Sequence, residues 1–500
     1  MDYSSAISSS SAWFAIALVF SIAAATKIVA RSRRTTASDP LHSTPSPPPV
    51  VSAISLLRLL PSVFREGPEP AMRELHAKLG SAFTVSFLFG QKVTFLIGQE
   101  EVLSHFFRAP ASEISRGNLF EFTVPMFGRE VGYGVDRATR DEQLRIFVDA
   151  LKPSKLRSHV DPMLREVKAY FSKWGEDGVV DLKHELEEVL MLISSRCLLG
   201  KEVREKMFDE FRTLFREIEN GVNFVSVFFP YIPIPAHRRR DSALVDINKT
   251  LSEIVKSRRK FGGTEEDMLQ RLIDSKYTNG RSMNEAEITG MIMTLLFAGK
   301  LTSAHTSTWT GACVLSSTKC LAAAVEEQKK IISKYNDQVD YSTLLEMSTL
   351  HNCIKEALRM HPSAPMLVRK AHKHFTVFTK QGNEYDIPKG HTLAIPVTLN
   401  NSMPHIYKDP EVYDPDRFSP DRAEDKVGGK FSFTSFGGGG NHGCFGEAYA
   451  YMQIKIIWSH LLRNFDLKLI SPFPKPDWSK FVLLPQGKVM VSYQRRHLLR

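Results

Sequence analysis

Apolar residues recur at spacings of three and four along most of the chain from 141 to 361, the mark of helices that bury one face. The run VDLKHELEEVLMLISSRCLLG (180–200) shows the pattern well and ends on Gly200, a residue suited to a helix C-cap. A shorter helix is predicted over 70–79. Two alternating runs, AFTVSFL (82–88) and KVTFLIG (92–98), predict strands joined by a hairpin at Gly90 and Gln91. Strand patterning returns after 361, in FTVFTKQGNEYDIPKGHTLAIPV (375–397), with breaks at QGN and PKG. Helices dominate and the small sheets segregate to both ends, so the predicted class is mostly α, or α+β. No strand–helix alternation points to a nucleotide-binding α/β fold.

One apolar stretch stands apart. AWFAIALVFSIAAATKIVA (12–30) is nearly uncharged, and RSRR (31–34) follows it at once. A cleaved secretory signal carries its positive charge before the apolar run, whereas only Asp2 precedes this one. Residues 1–34 therefore read as an uncleaved single membrane anchor helix with a basic stop, everything after it facing the cytosol. TTASDPLHSTPSPPPVV (35–51) reads as a stiff Pro-rich linker. Residues 52–500 show no internal repeat and no second linker of this kind, which predicts one large domain.

Composition adds three exclusions. With 43% hydrophobic and 24% charged residues, the chain is neither disordered nor wholly membrane-embedded. Its net charge of +10 suits an anionic surface or an acidic partner protein, and no aromatic-interleaved basic motif supports nucleic acid. The five cysteines (Cys197, Cys313, Cys320, Cys353 and Cys444) are odd in number and scattered, which argues against a disulfide framework.

Cys444 is the exception in its surroundings, FGGGGNHGCFG (436–446). A buried structural cysteine needs no glycine-rich approach. A phosphate cradle would want GK[ST] after the glycines, and zinc would want paired ligands where only His442 is near. A thiol nucleophile would want a histidine base, for which the chain shows no located triad. The sharper reading is a haem thiolate: glycines let the backbone lie close to a flat macrocycle, and the helical pattern from Glu447 places the sulfur before a helix N-terminus that stabilises negative charge.

With that reading, SFGGGGNHGCFGEAYAYMQIKIIWSHLLRNFDL resembles the haem-binding loop and following helix of the cytochrome P450 superfamily, and in detail the plant sterol (obtusifoliol) 14α-demethylase family. KEALRMHP (355–362) matches the superfamily's E-x-x-R helix, YDPDRF (413–418) its meander, and FAGKLTSAHTSTWTGA (297–312) its oxygen-binding helix. FTVPMFG (122–128) and FPYIPIPAHRRRD (229–241) match the sterol family's substrate-side segments. The resemblance covers nearly the whole chain. It implies a cytochrome P450 fold, a thiolate-ligated haem b on Cys444, and electrons from NADPH–cytochrome P450 reductase. It also implies the endoplasmic reticulum membrane as location, with a small apolar substrate of the triterpenoid or sterol kind.

The resemblance further assigns roles. Glu356, Arg359 and Arg417 form a buried structural network rather than a surface pair. Ala298 and Gly299 make room for O2, and Thr302 serves proton delivery. Arg369, His442 and Tyr133 match residues that hold haem propionates, with Phe436 and Gly440 in the cofactor loop. Substrate contacts are expected from Phe120, Phe122, Val124, Phe127, Tyr133, Leu295, Phe297, Leu301, Thr306, Met366, Leu367 and Leu483. Leu295, Ala298, Gly299, Thr302 and Thr306 fall on one helical face, and a Gly and two Thr in mid-helix are poor helix formers.

Four departures from the family pattern cluster at haem and substrate. The superfamily's loop Phe stands one residue nearer its Cys than Phe436 does, so this loop carries an extra residue, a glycine. Asn441 replaces the family's Arg, Leu301 replaces its His before the oxygen-helix Thr, and Phe120 replaces one propionate Tyr, with Tyr133 and Gly134 where the family has Phe-Asp. Leu301 cannot carry a proton. The expectation is therefore a monooxygenase that hydroxylates or epoxidises a triterpenoid, with sterol 14α-demethylation as the close alternative and a non-catalytic haem- or ligand-binding relative as the alternative of another class.

Overall fold

The computed structural model describes residues 46–52, 55–56, 58–87, 91–222, 224–263, 266–439, 443–478, 480 and 482–496. They fall into two compact units. The first takes the described parts of Met1–Leu119, Ala364–Glu411 and Ala423–Gly443. The second takes those of Phe120–Ser363, Val412–Arg422 and Cys444–Arg500.

The first unit is built on sheet. Strands β1 (Val50–Val51), β2 (Ala82–Ser86), β3 (Lys92–Leu96), β4 (Ile114–Ser115), β5 (Met366–Ala371) and β8 (Thr392–Pro396) form one sheet in the order β1-β2-β3-β8-β5-β4. A separate hairpin pairs β6 (Phe375–Phe378) with β7 (Glu384–Ile387). The predicted hairpin of β2 and β3 is present, with Ser86 opposite Lys92. Residues at the end of the expected linker are extended, and β1 runs parallel to β2. The helix Glu100–Arg108 supplies Val102, Leu103, Phe106 and Phe107 to a core shared with Leu96, Leu393 and Ile395.

The second unit is mostly helical. Its axis is the helix Glu285–Leu315, 31 residues, apolar all round and buried along most of its length, as such a helix must be. Its start is set by a capping box: Asn284 Oδ1 accepts from Glu287 N–H at 2.8 Å while a Glu287 oxygen accepts from Asn284 N–H at 2.7 Å. The helix Leu182–Ser194 continues into one π turn that closes on Gly200 at φ +94°, the C-cap read from the sequence. Strand Asp177–Asp181 joins a three-stranded sheet with the late strands Phe465–Leu469 and Met490–Arg495.

Helix Glu447–Asn464 packs on the long helix through Trp458, whose Nε1 donates to the Ser307 hydroxyl at 3.0 Å, and through Gln453, whose Nε2 reaches Ser303 Oγ at 3.4 Å. The close approach needs Gly311: a Cβ there would sit 2.4 Å from the Trp458 ring and 2.7 Å from Leu182.

The anchor and the location drawn from it are corrected. Among the described residues no helix is long and apolar enough to cross a membrane, and the run 12–30 lies outside the described residues. The fold is therefore stated as helix-rich with small sheets, and among the described residues nothing supplies the membrane-spanning anchor or the endoplasmic reticulum membrane location read from it.

Two outcomes follow. Gly311→Ala should destabilise the protein by about 1–3 kcal/mol through overpacking, read as a lowered urea midpoint. Burial holds His159, His305 and His361 near pKa 3 and His351 and His460 near 4. The unfolded chain thus binds protons that the native chain refuses, so stability should fall as pH drops from 6.5 towards these values. Each histidine contributes a slope of up to about 1.4 kcal/mol per pH unit. His305→Leu should make the loss between pH 6 and 4 shallower; an unchanged slope would contradict its neutral burial.

Candidate functional site

Within the second unit, two helices and a short turn are tied together beside the segment that carries Cys444. Helix Ser348–Met360 carries Glu356 and Arg359 with side chains wholly buried, and Arg417 of the turn Pro415–Phe418 joins them. Glu356 accepts from Arg359 Nε at 2.7 Å, from Arg359 Nη2 at 2.9 Å, from Arg417 Nε at 2.8 Å and from Asp414 N–H at 3.1 Å. Arg417 Nη2 also donates to the Val412 carbonyl. A carboxylate with four donors compensates two buried cations, which a lone surface pair could not. The same helix stacks His351 on Tyr451 of the helix Glu447–Asn464, ring centroids 4.3 Å apart.

Cys444 stands just before that last helix and is exposed. Cys197, Cys313, Cys320 and Cys353 are buried, burial pushes their thiols up, and none of the five is in a disulfide. Cys444 is thus the one cysteine placed to act as an accessible thiolate, at the positive end of an 18-residue helix.

A cavity of about 490 Å³ opens beside it, lined among others by Val148, Leu151, Tyr341, Leu345, Lys152 and Lys455. Burial lowers the Lys455 amine to about 8, and its Nζ donates to the Leu344 carbonyl at 2.7 Å.

On the long helix, exposure returns along one strip. Ala298 is exposed, and Leu295, Phe297, Gly299, Leu301 and Thr302 are half-buried. A Cβ on Gly299 would meet nothing within 4 Å, so the strip has open space beside it. Thr302 Oγ1 donates to the Ala298 carbonyl at 2.6 Å. Lys300 lies on the other side, paired with Glu219 at 3.0 and 3.1 Å. Phe127 meets Phe297 edge-on at 5.7 Å. Phe120 stacks on Tyr133 at 5.5 Å, and the Arg140 guanidinium covers the Tyr133 ring. Phe122 and Leu483 are buried and Val124 is half-buried.

The first unit holds the remaining predicted residues. Arg369 is buried in β5, its guanidinium 4.7 Å from the Phe106 ring centre. Met366 and Leu367 are half-buried on the same strand. Phe436 is half-buried, and Gly437, Gly438 and Gly439 all take left-handed φ values of 85°, 72° and 79°. Three such residues in a row require glycine, which accounts for the sequence of the loop. Gly440, Asn441 and His442 lie outside the described residues. Sequence reasoning missed the pair that fixes this loop: buried Asn400 reaches the Phe431 carbonyl at 3.0 Å, and Asn401 Oδ1 accepts from Thr434 N–H at 2.9 Å. Their signal was two adjacent amides at the end of the short helical turn Val397–Asn400 that follows a strand.

The donor set of the second unit fits a haem: one accessible thiol at a helix N-terminus and an open strip on the long helix. The family profile described as cytochrome P450 matches residues 45–493. The chain belongs to this family.

This P450 is 53% identical to the obtusifoliol 14-alpha demethylase of Sorghum bicolor, over 87% of this chain and 88% of that protein. It is 51% identical to the sterol 14-demethylase of Arabidopsis thaliana, over 90% of each. Against the lanosterol 14-alpha demethylase of Bos taurus the identity is 31%, over 90% of this chain and 88% of that one. Among solved structures, the retinoic acid bound cyanobacterial CYP120A1 shares the fold, with a TM-score of 0.76 at 21% identity, covering 91% of this chain and all of that one. The protein is closely related to the plant sterol 14α-demethylases and is a haem-thiolate monooxygenase, which removes the non-catalytic reading.

Glu356→Ala should cost about 3–5 kcal/mol by stranding two buried guanidinium groups. Expression of this variant should yield little folded, haem-loaded protein by Soret absorbance per polypeptide, and wild-type yield would contradict the network's role.

Proposed function

We propose that this P450 oxidises a 14α-methyl sterol of the obtusifoliol type, removing the methyl group. The observation that carries the reading is identity of 51–53% across about nine-tenths of the chain to plant enzymes named for that reaction. This reverses the expectation of a triterpenoid hydroxylase or epoxidase drawn from the departures at haem and substrate. That second reading keeps one specific support: Leu301, apolar and half-buried on the open strip beside Thr302.

Cys444 is proposed as the thiolate ligand of haem b, with Arg369 and Tyr133 as candidates to hold its carboxylates and Phe436 in the supporting loop. When bound, a thiolate-ligated haem supplies reduction of O2 and insertion of one oxygen atom into the substrate. The chain's own residues do the rest. Thr302 holds its hydroxyl proton on the Ala298 carbonyl, which leaves the oxygen's lone pairs facing the open strip. Leu301 offers no titratable atom next to it, so protons must reach Thr302 through water or other hydroxyls. Leu295, Phe297 and Phe127 offer the apolar wall that a polycyclic hydrocarbon needs.

Electrons are proposed to come from NADPH–cytochrome P450 reductase. The cavity beside Cys444, with exposed Lys152 at its wall, gives such an acidic partner a cationic footing.

The test is reconstitution with reductase and NADPH on obtusifoliol and, separately, on β-amyrin. Loss of the 14α-methyl group from the sterol is expected, abolished in Cys444→Ser together with the red-shifted Soret band of the reduced carbon monoxide complex. An oxidised triterpene with no demethylated sterol would overturn the reading in favour of the second.

A further inference from the structure

Six threonines lie on the long helix, and five of them turn their hydroxyls back onto its own carbonyls. Thr289, Thr294, Thr302, Thr308 and Thr310 donate to the carbonyls four residues earlier at 2.6–3.0 Å. Thr306 does not. Its Oγ1 faces the hydroxyl of Ser363, 3.3 Å away, and Ser363 Oγ lies 3.4 Å from the Thr302 carbonyl. Thr306 stands one turn beyond Thr302 on the same face, at the buried end of the open strip.

The segment that brings Ser363 there is pinned on both sides. His361 stacks flat on Trp309, centroids 3.8 Å apart and planes 8° apart. Trp309 Nε1 donates to the Leu483 carbonyl at 3.3 Å, and Leu483 N–H donates to the Ser363 carbonyl at 3.2 Å. The backbone of Ser363 is therefore held while its hydroxyl is not. Hydroxyl hydrogen bonds usually measure about 2.7–2.8 Å, and both contacts here are far longer. The Thr302 carbonyl already accepts within the helix. An oxygen arriving at normal length would take the Ser363 proton from that weak contact.

We propose that Ser363 and Thr306 bind the oxygen that the first turnover places on the substrate, and so retain the carbinol for further oxidation. This rests on the demethylation reading above. One round consumes O2, two electrons and two protons, converts a C–H bond of the methyl group to C–O–H, and releases water. The new oxygen lies at the reacting carbon. A hydroxyl pair one helical turn from Thr302 is within about 6 Å of that threonine, whereas a hydroxyl at the far end of a sterol is not. Leu295, Phe297 and Leu301 of the strip and Leu483 beside Ser363 offer no polar side-chain atom, so beyond Thr302 the pair is what would distinguish carbinol from parent. Ser363 is a specificity-determining residue in this account.

The test is equilibrium dialysis of the holoenzyme against two ligands, the 14α-methyl sterol and its 14α-hydroxymethyl carbinol. Wild type should bind the carbinol about tenfold tighter, the worth of one good hydrogen bond. Ser363→Ala should bring the ratio near one with parent affinity kept, Thr306→Val should lower the ratio as well, and Ser363→Thr should restore it. During turnover, the two disabled variants should release free carbinol that wild type keeps. Equal binding of both ligands by wild type would overturn the proposal. So would an unchanged ratio in Ser363→Ala that retains its thiolate Soret band. Binding of neither ligand would overturn the sterol reading itself and this assignment with it.

Discussion

Glu356 compensates two buried guanidinium groups at once, and the rest of the catalytic unit is arranged around that requirement. A charge with no exposure cannot be left half-paired, because water cannot reach it and the interior has little else to offer. The helix Ser348–Met360 and the turn Pro415–Phe418 are therefore locked to each other. From there the contacts run outward. His351 meets Tyr451 on the helix that follows Cys444, and Trp458 of that helix meets Ser307 on the long helix that carries Thr302. The helix that follows the thiol and the helix that carries the threonine are joined by this line of contacts.

The long helix does two jobs that conflict locally. It is buried along most of its length, which holds the unit together, and it leaves an open strip beside Gly299. Small residues reconcile these demands. Gly311 lets Trp458 approach on one side, while Ala298 and Gly299 leave room elsewhere. Threonine hydroxyls in such a helix are normally satisfied by carbonyls one turn back, which keeps polar atoms quiet in a dry interior. The exception at Thr306 is informative because the other five follow the rule.

The relation to the plant sterol 14α-demethylases is carried by the whole chain at 51–53% identity, and the departures from the family pattern noted in the sequence are a few positions at haem and substrate. Leu301 is one of them, and it sits on the strip beside Thr302. Similarity spread over the whole chain gives the proposed demethylation more support than the altered positions give the triterpenoid reading. In the proposed function those positions bear on how protons reach Thr302.

The sequence by itself determined the helix-rich class, the hairpin at 82–98, the Gly200 cap and the singular status of Cys444, because each rests on local periodicity or local backbone chemistry. The E-x-x-R spacing showed that Glu356 and Arg359 share a helix face. Their complete burial, and the arrival of Arg417 from about sixty residues away, were decided by tertiary packing. So was the pairing of strand Asp177–Asp181 with the C-terminal strand Met490–Arg495, a partnership no local pattern encodes. Asn400 and Asn401 read as ordinary loop polar residues until the fold places the Cys loop against them. Ser363 is one serine in a turn after a proline, and it acquires meaning when stacking of His361 on Trp309 brings its hydroxyl to Thr306. Local interactions are written in neighbouring residues; contacts between distant segments exist only once burial has chosen which of them meet.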